Sequence, residues 1–416
     1  MRTSFALLAL LLSLSLSSLP MWAQAQTPET PLPTDLIYVT KGEDTDFSLS
    51  AFVRVNATTL ETSLFYIDKT HSLRPLGWSP QENYFAFLRS SELSHYWEVC
   101  LLTHEGDLYT CFEDKITGHV FRWRLEHFNV TWSEDERRIY FVADYDLFNW
   151  DSELHPADPN KPQTWATRLI EADVQTGKML RTIYQSQGYE FRLPPFVFWS
   201  SDVRYVRTSR PDGTLVLIDR TENREIVLPD KAEGVGALAY CAWFSPHDNY
   251  LVAVAFNEDG DLTGLVLVNP QGEVVRVVGP EQLAEVGAAR PSCPAWYEDE
   301  SAFLFVDKII RGYDVENPHL LLKYSLVSGQ LTRIKQLDPP EPSEPDFLVN
   351  RPLRQIHPAP NDPRYVAVEF TNRLNYSSIR VLLPDGQWWV VVGERERDGG
   401  ERSFGMYPVW AARSAP

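Results

Sequence analysis

The chain has 416 residues, 44% of them hydrophobic and 23% charged, which is an ordinary globular composition. A net charge of -19 at neutral pH argues against non-specific nucleic-acid binding, which needs a basic face to displace counterions, and against anionic membrane surfaces. Length alone admits two or three domains, although closed all-β architectures run longer as single units.

The chain opens on a targeting pattern. Arg2 supplies a positive start, ALLALLLSLSLSSL (6–19) is an apolar run too short to span a bilayer, and Ala23-Gln24-Ala25 fits a small-x-small cleavage site. Residues 1–25 therefore read as a signal peptide, with a mature chain from Gln26. No cysteine follows the apolar run, which speaks against a lipid anchor there, and no later stretch approaches about 20 apolar residues. The expectation is a periplasmic or extracellular protein that is soluble and does not span a membrane. Residues 26–34 read as a flexible leading segment and 35–416 as one domain.

Strands come next, and almost no helical periodicity. DLIYVT (35–40), LSAFVRVN (49–56) and TSLFYID (62–68) alternate with period two. A phrase then recurs: GWSPQENYFAFL from Gly77, TWSEDERRIYFV from Thr131, FWSSDVRYVRT from Phe198, AWFSPHDNYLVAVAF from Ala242, AWYEDESAFLFV from Ala295 and IHPAPNDPRYVAVEF from Ile356. Its heads are Trp78, Trp132, Trp199, Trp243, Trp296 and His357, and a seventh, Trp410, stands near the C-terminus. After each head come a tight turn and an alternating apolar strand. A third strand (EVCLLT, GLVLVN, SIRVLLP) and a fourth (DLYTCF, EVVRVVG, QWWVVVG) complete the unit. Four strands joined by tight turns make an antiparallel meander, and meanders at this pitch make a β-propeller. Three N-terminal strands plus the one at Trp410 complete a blade and close the ring, giving seven blades; six is the alternative if the N-terminal strands are irregular.

Trp-Ser-Pro followed by polar turn residues and an apolar strand resembles the WD40-like repeat of TolB-type propellers, best at Trp78-Ser79-Pro80 and Ser245-Pro246-His247-Asp248. Most copies lack the usual Asp-Gly, and Trp132, Trp199 and Trp296 lack the proline. The resemblance implies a secreted or periplasmic binding scaffold; such propellers also form the non-catalytic domain of some serine peptidases. The head aromatics read as core, since a Trp fills the wedge where blades converge.

Loop lengths divide the propeller into two faces. The turns after first and third strands are short. The connections after second and fourth strands are long and variable, as in 143–164, 184–195 and 338–352. A scaffold with one plain and one elaborated face is expected to bind through the latter. On that face, arginines recur ahead of the inner strands: Arg74, Arg124, Arg192, Arg290, Arg351 and Arg402. A ring of them at the channel mouth could grip a carboxylate or phosphate, or the same residues could form salt bridges between blades. The loop DYDLFNWDSELHPADPN groups Asp144, Asp146 and Asp151 with Glu153, His155 and Asp158; these could hold Ca²⁺ or form a solvated acidic loop. Tyr145, Phe148, Trp150, Tyr189 and Tyr313 offer a contact surface for a peptide or glycan.

Export makes the four cysteines disulfide candidates. Pairing Cys100 with Cys111 across one hairpin, and Cys241 with Cys293 ahead of adjacent heads, is preferred among three connectivities; four buried thiols are the alternative. No nucleophile elbow, Walker loop or His-Glu-x-x-His occurs. His357 reads as packed, and Asn56, Asn129 and Asn375 fit the glycosylation triplet. Two functions follow as expectations. The first is a monomeric, non-catalytic scaffold with no cofactor, recognising a protein, peptide or envelope component through the long-loop face. The second is a propeller enzyme, a lyase or metal-assisted hydrolase, with its site at the same mouth.

Overall fold

A computed structural model describes residues 31–41, 50–91, 96–112, 120–121, 129–146, 164–186, 189–190, 196–307, 319–337, 351–371, 377–392 and 404–411. Seven antiparallel sheets follow one another as blades of a propeller. Blade 1 runs His71–Trp78, Tyr84–Ser91, Tyr96–Thr103, Leu108–Phe112. Blade 2 spans Thr131–Trp132 to Lys178–Gln185, blade 3 Phe198–Trp199 to Arg224–Val227, and blade 4 Gly236–Phe244 to Val274–Val278. Blade 5 spans Ala295–Trp296 to Leu331–Leu337, and blade 6 Arg351–Pro358 to Trp388–Val392. Among the described residues one short helix, Pro280–Glu285, lies between blades 4 and 5.

The seventh blade is composite. Phe404–Trp410 pairs with Leu36–Lys41, which pairs with Ser50–Val55 and then Thr62–Asp68. The three N-terminal strands and the C-terminal one form a full sheet, so the ring has seven blades. Packing begins ahead of residue 35, within the segment expected to be flexible. Leu32 and Thr34 are buried, and the Leu32 N–H donates to the Ala57 carbonyl at 2.9 Å.

Alternating strands bury both faces of each sheet against its neighbours. One hydrophobic cluster joins blades 7 and 1 through Phe52, Phe85 and Phe87; another joins 4 and 5 through Phe303, Phe305 and Tyr324. The head tryptophans fill the inner wedge. Trp199 meets Trp243 edge-on at 5.9 Å and donates its Nε1 hydrogen to Thr131 Oγ1 at 2.7 Å; Trp410 donates to the His357 carbonyl at 2.8 Å.

The recurring turn has a common geometry. Ser79, Ser133, Ser200 and Ser245 each accept, through Oγ, the backbone N–H five residues on. Five of the six turns place a residue with a Cβ in the left-handed region where the usual Asp-Gly would put glycine, and four of those five bear a carboxylate, Glu82, Glu136, Asp248 and Glu300; Val203 is the fifth, and the turn after His357 has none. Three of these carboxylates reach the preceding blade. Glu136 accepts from the Gln81 N–H and from Asn83 Nδ2 at 2.7 Å. Asp248 accepts from Ser201 N and Oγ at 2.8 and 2.6 Å. Glu300 accepts from His247 N and Asn249 Nδ2 at 2.6 and 2.7 Å. The turns between third and fourth strands lean the same way: a Cβ on Gly272 would meet Ile226 Cγ2 at 2.9 Å, and one on Gly177 would meet Thr110 Oγ1 at 2.6 Å. The short-turn face is therefore a seam of latches between blades.

Candidate functional site on the long-loop face

Inner strands begin on the opposite, long-loop face, so the residues at their starts surround the channel mouth. At the junction of blades 7 and 1, the short connection Asp68–His71 makes a compact polar cluster. Asp68 ends the outermost strand of blade 7 and His71 starts the innermost strand of blade 1. Asp68 Oδ1 accepts from the backbone N–H groups of Thr70 and His71 at 2.9 and 3.0 Å and from the Thr70 hydroxyl at 3.1 Å. His71 Nδ1 lies 3.0 and 3.1 Å from the two carboxylate oxygens. Burial is the largest single influence on Asp68 and works to raise its pKa. The Thr70 N–H, the His71 ring and the Thr70 hydroxyl together outweigh it and hold the carboxyl below its usual range. An ionised Asp68 requires the proton on Nδ1. Thr70 Oγ1 sits 2.8 Å from the same Nδ1, so it cannot be the nucleophile of a relay through this ring.

Between blades 3 and 4 an aromatic group lies ahead of the short turns that open at Ser200 and Ser245. Phe196, 41% exposed, stacks on Phe198 at 5.9 Å; Trp243 meets Phe198 edge-on at 5.2 Å. The Arg207 guanidinium lies 4.4 Å over Phe198 and bonds to the Cys241 and Ala242 carbonyls. Burial lowers its pKa to about 9, so it remains a cation at neutral pH.

Of the predicted arginines, Arg74 is buried, with its guanidinium 4.7 Å over the Tyr407 ring. Arg290 stands 3.7 Å from Asp261 on blade 4, while its N–H donates to Asp307 Oδ1 at 2.6 Å. Arg74 thus leans on a ring of blade 7 and Arg290 on a carboxylate of blade 4. Arg351 starts the innermost strand of blade 6. Asp144, Tyr145 and Asp146 end the second strand of blade 2, and Tyr189 lies in a two-residue strand pairing with its third. Arg124, Arg192, Arg402, Phe148, Trp150, Asp151, Glu153, His155, Asp158 and Tyr313 lie outside the described residues, as does Asn375. His357 is part-buried, and burial lowers its pKa to about 4.

Both expected disulfides are formed, Cys100–Cys111 and Cys241–Cys293, and no cysteine is free. Such pairs persist in oxidising compartments. Among the described residues no helix is long and apolar enough to cross a membrane.

No family of known sequences matches the chain, and no curated protein does. Solved structures do. The chain is similar to the acylaminoacyl peptidase of Pyrococcus horikoshii, with 10% identity and a TM-score of 0.55 over 86% of this chain and 51% of that one. It is similar to oligogalacturonate lyase from Vibrio parahaemolyticus, with 14% identity and a TM-score of 0.51 over 81% and 85%. TolB from Acinetobacter baumannii aligns at 10% identity and a TM-score of 0.41, over 91% of this chain and 66% of its own length. The fold is a β-propeller. At these identities the likeness extends to architecture, and function has to be argued from the site.

Proposed function

We propose that this chain is an exported, non-catalytic propeller that recognises a protein, peptide or envelope component through its long-loop face. The observation that carries this reading is the asymmetry of the faces. The short-turn face commits Glu136, Asp248, Glu300 and close-approach glycines to holding blades together. The opposite face carries the connections that differ from blade to blade. Binding surfaces concentrate on loops positioned by a rigid scaffold, and aromatic anchors dominate their energetics. The two disulfides and the leading signal pattern fit such a role outside the cytoplasm.

The test is a capture experiment on the exported protein from envelope extracts. Tyr145→Ala with Trp150→Ala should abolish recovery of the specific partner, whereas Glu134→Ala with Glu298→Ala on the exposed short-turn face should not. Equal loss in both pairs would overturn the assignment of the binding face.

A second reading has one observation in its favour. His71 begins an inner strand on the long-loop face with its Nδ1 held by Asp68, the pairing a general base needs. If the chain is an enzyme acting there, His71→Gln removes turnover, while Thr70→Val leaves it within about tenfold, because the hydroxyl only supports Asp68.

A further inference from the structure

The two disulfides occupy opposite electrostatic surroundings. In blade 1, Cys100 is fully buried and Cys111 part-buried, and a carboxylate oxygen of Glu98 lies within 4.8 Å of both sulfurs. That negative charge disfavours a thiolate on either one. Between blades 4 and 5 the arrangement is reversed. Cys241 is buried on the innermost strand of blade 4, whereas Cys293 is exposed just ahead of the innermost strand of blade 5. The Arg207 guanidinium bonds to the carbonyl of Cys241 itself, and Arg207 makes no ion pair among the described residues. A buried cation with no carboxylate partner stabilises an anion formed beside it.

We propose that Cys241–Cys293 is a thiol–disulfide exchange site for a small dithiol, with Cys293 the attacked sulfur and Cys241 the leaving group. One thiolate of the dithiol attacks Cys293 Sγ and forms a mixed disulfide. The Cys241–Cys293 bond breaks, and its electron pair leaves as a thiolate on Cys241, the residue whose backbone carbonyl accepts from Arg207. The second thiol, deprotonated, then attacks the dithiol sulfur of the mixed disulfide. Cys293 departs as a thiolate, and the cyclic oxidised dithiol is released. Two electrons pass from the dithiol to the protein pair. Reduction cuts the covalent tie between blades 4 and 5, while the Glu300 latch to His247 and Asn249 still joins them at the short-turn face. The inference does not depend on the binding role proposed above.

The full-length protein in native buffer is treated with sub-millimolar dithiothreitol, quenched with iodoacetamide at intervals and mapped by peptide mass spectrometry. Cys241 and Cys293 should become alkylated at least about tenfold faster than Cys100 and Cys111, since rate follows access and leaving-group stability. With 2-mercaptoethanol the mixed disulfide should sit on Cys293 and the alkyl group on Cys241. Equal rates for the two pairs, earlier opening of Cys100–Cys111, or an adduct on Cys241 would overturn the proposal. Arg207→Met should slow the opening of Cys241–Cys293 about tenfold and Arg207→Lys should restore part of the rate. If Arg207→Met does not fold, the wild-type comparison alone decides.

Discussion

Glu300 is held in a backbone region that costs any residue with a Cβ, and it is only 8% exposed. Two opposing terms therefore set the effect of replacing it. Its carboxylate accepts two hydrogen bonds from blade 4, at 2.6 and 2.7 Å. Bonds to a charged acceptor contribute about 1.5–3 kcal/mol each when the alternative is an unpaired group. His247 and Asn249 are exposed and can turn to water, so the lower end applies and the latch totals about 3 kcal/mol. Against this, a left-handed residue with a Cβ costs about 1 kcal/mol that glycine avoids. Glu300→Ala loses the latch and keeps the strain, so it should destabilise by about 3 kcal/mol. Glu300→Gly loses the latch and relieves the strain, so it should destabilise by about 2 kcal/mol. Glu300→Gln keeps one acceptor and should fall nearest the wild type. Urea unfolding followed by tryptophan fluorescence measures the order. A Glu300→Gly variant as stable as the wild type, or more so, would mean that the strain outweighs the latch and that the carboxylate does not hold the blades.

Four further outcomes are expected. The Arg204 guanidinium, against the opposing effect of burial and with help from backbone N–H groups of the turn, holds Asp219 down to about pKa 2. A depressed carboxylate stabilises above its unfolded pKa of about 4 and loses that contribution as pH falls toward 2, so urea midpoints of wild type and Asp219→Asn should converge across that interval. His357 resists protonation until about pH 4, whereas the unfolded chain takes up the proton near 6.5; stability should therefore fall between pH 6.5 and 4, and His357→Phe should flatten this slope. Removing Cys241–Cys293, which closes 52 residues, should cost about 1 kcal/mol more than removing Cys100–Cys111, which closes 11, as measured by denaturation of the Ser pairs. Gly272→Ala should destabilise more than Gly213→Ala, because both have positive φ but only the former would drive a Cβ into the neighbouring blade.

The architecture was legible because its signals are local. A head aromatic, a Ser-closed turn and an alternating strand recur within each blade, and the cysteine pairs lie within or between adjacent repeats. The site was less legible because its decisive contacts join residues on different blades. Nothing in TWSEDER indicates that Glu136 reaches Asn83, and the missing Asp-Gly becomes intelligible only once the left-handed carboxylates are seen spanning the seam. Arg74 has the right position for a mouth arginine, but its guanidinium turns onto Tyr407. Asp68 and His71 stand three apart in a turn that reads as an ordinary connection. Arg207 sits inside an alternating strand, where its lack of a carboxylate partner among the described residues cannot be read from sequence.

The composite blade also sets a timetable. Strand Leu36–Lys41 emerges long before Phe404–Trp410 during synthesis, yet one of its two edges is covered only by that later strand. Until then the nascent protein is an open arc with an unpaired apolar edge, LIYVTK, on blade 7 and an uncovered inner wedge beside His357. That edge stays open for as long as roughly 370 residues take to follow, about 20 to 70 seconds at ordinary elongation rates. Ring closure, rather than completion of any single blade, is the step that ends the vulnerability.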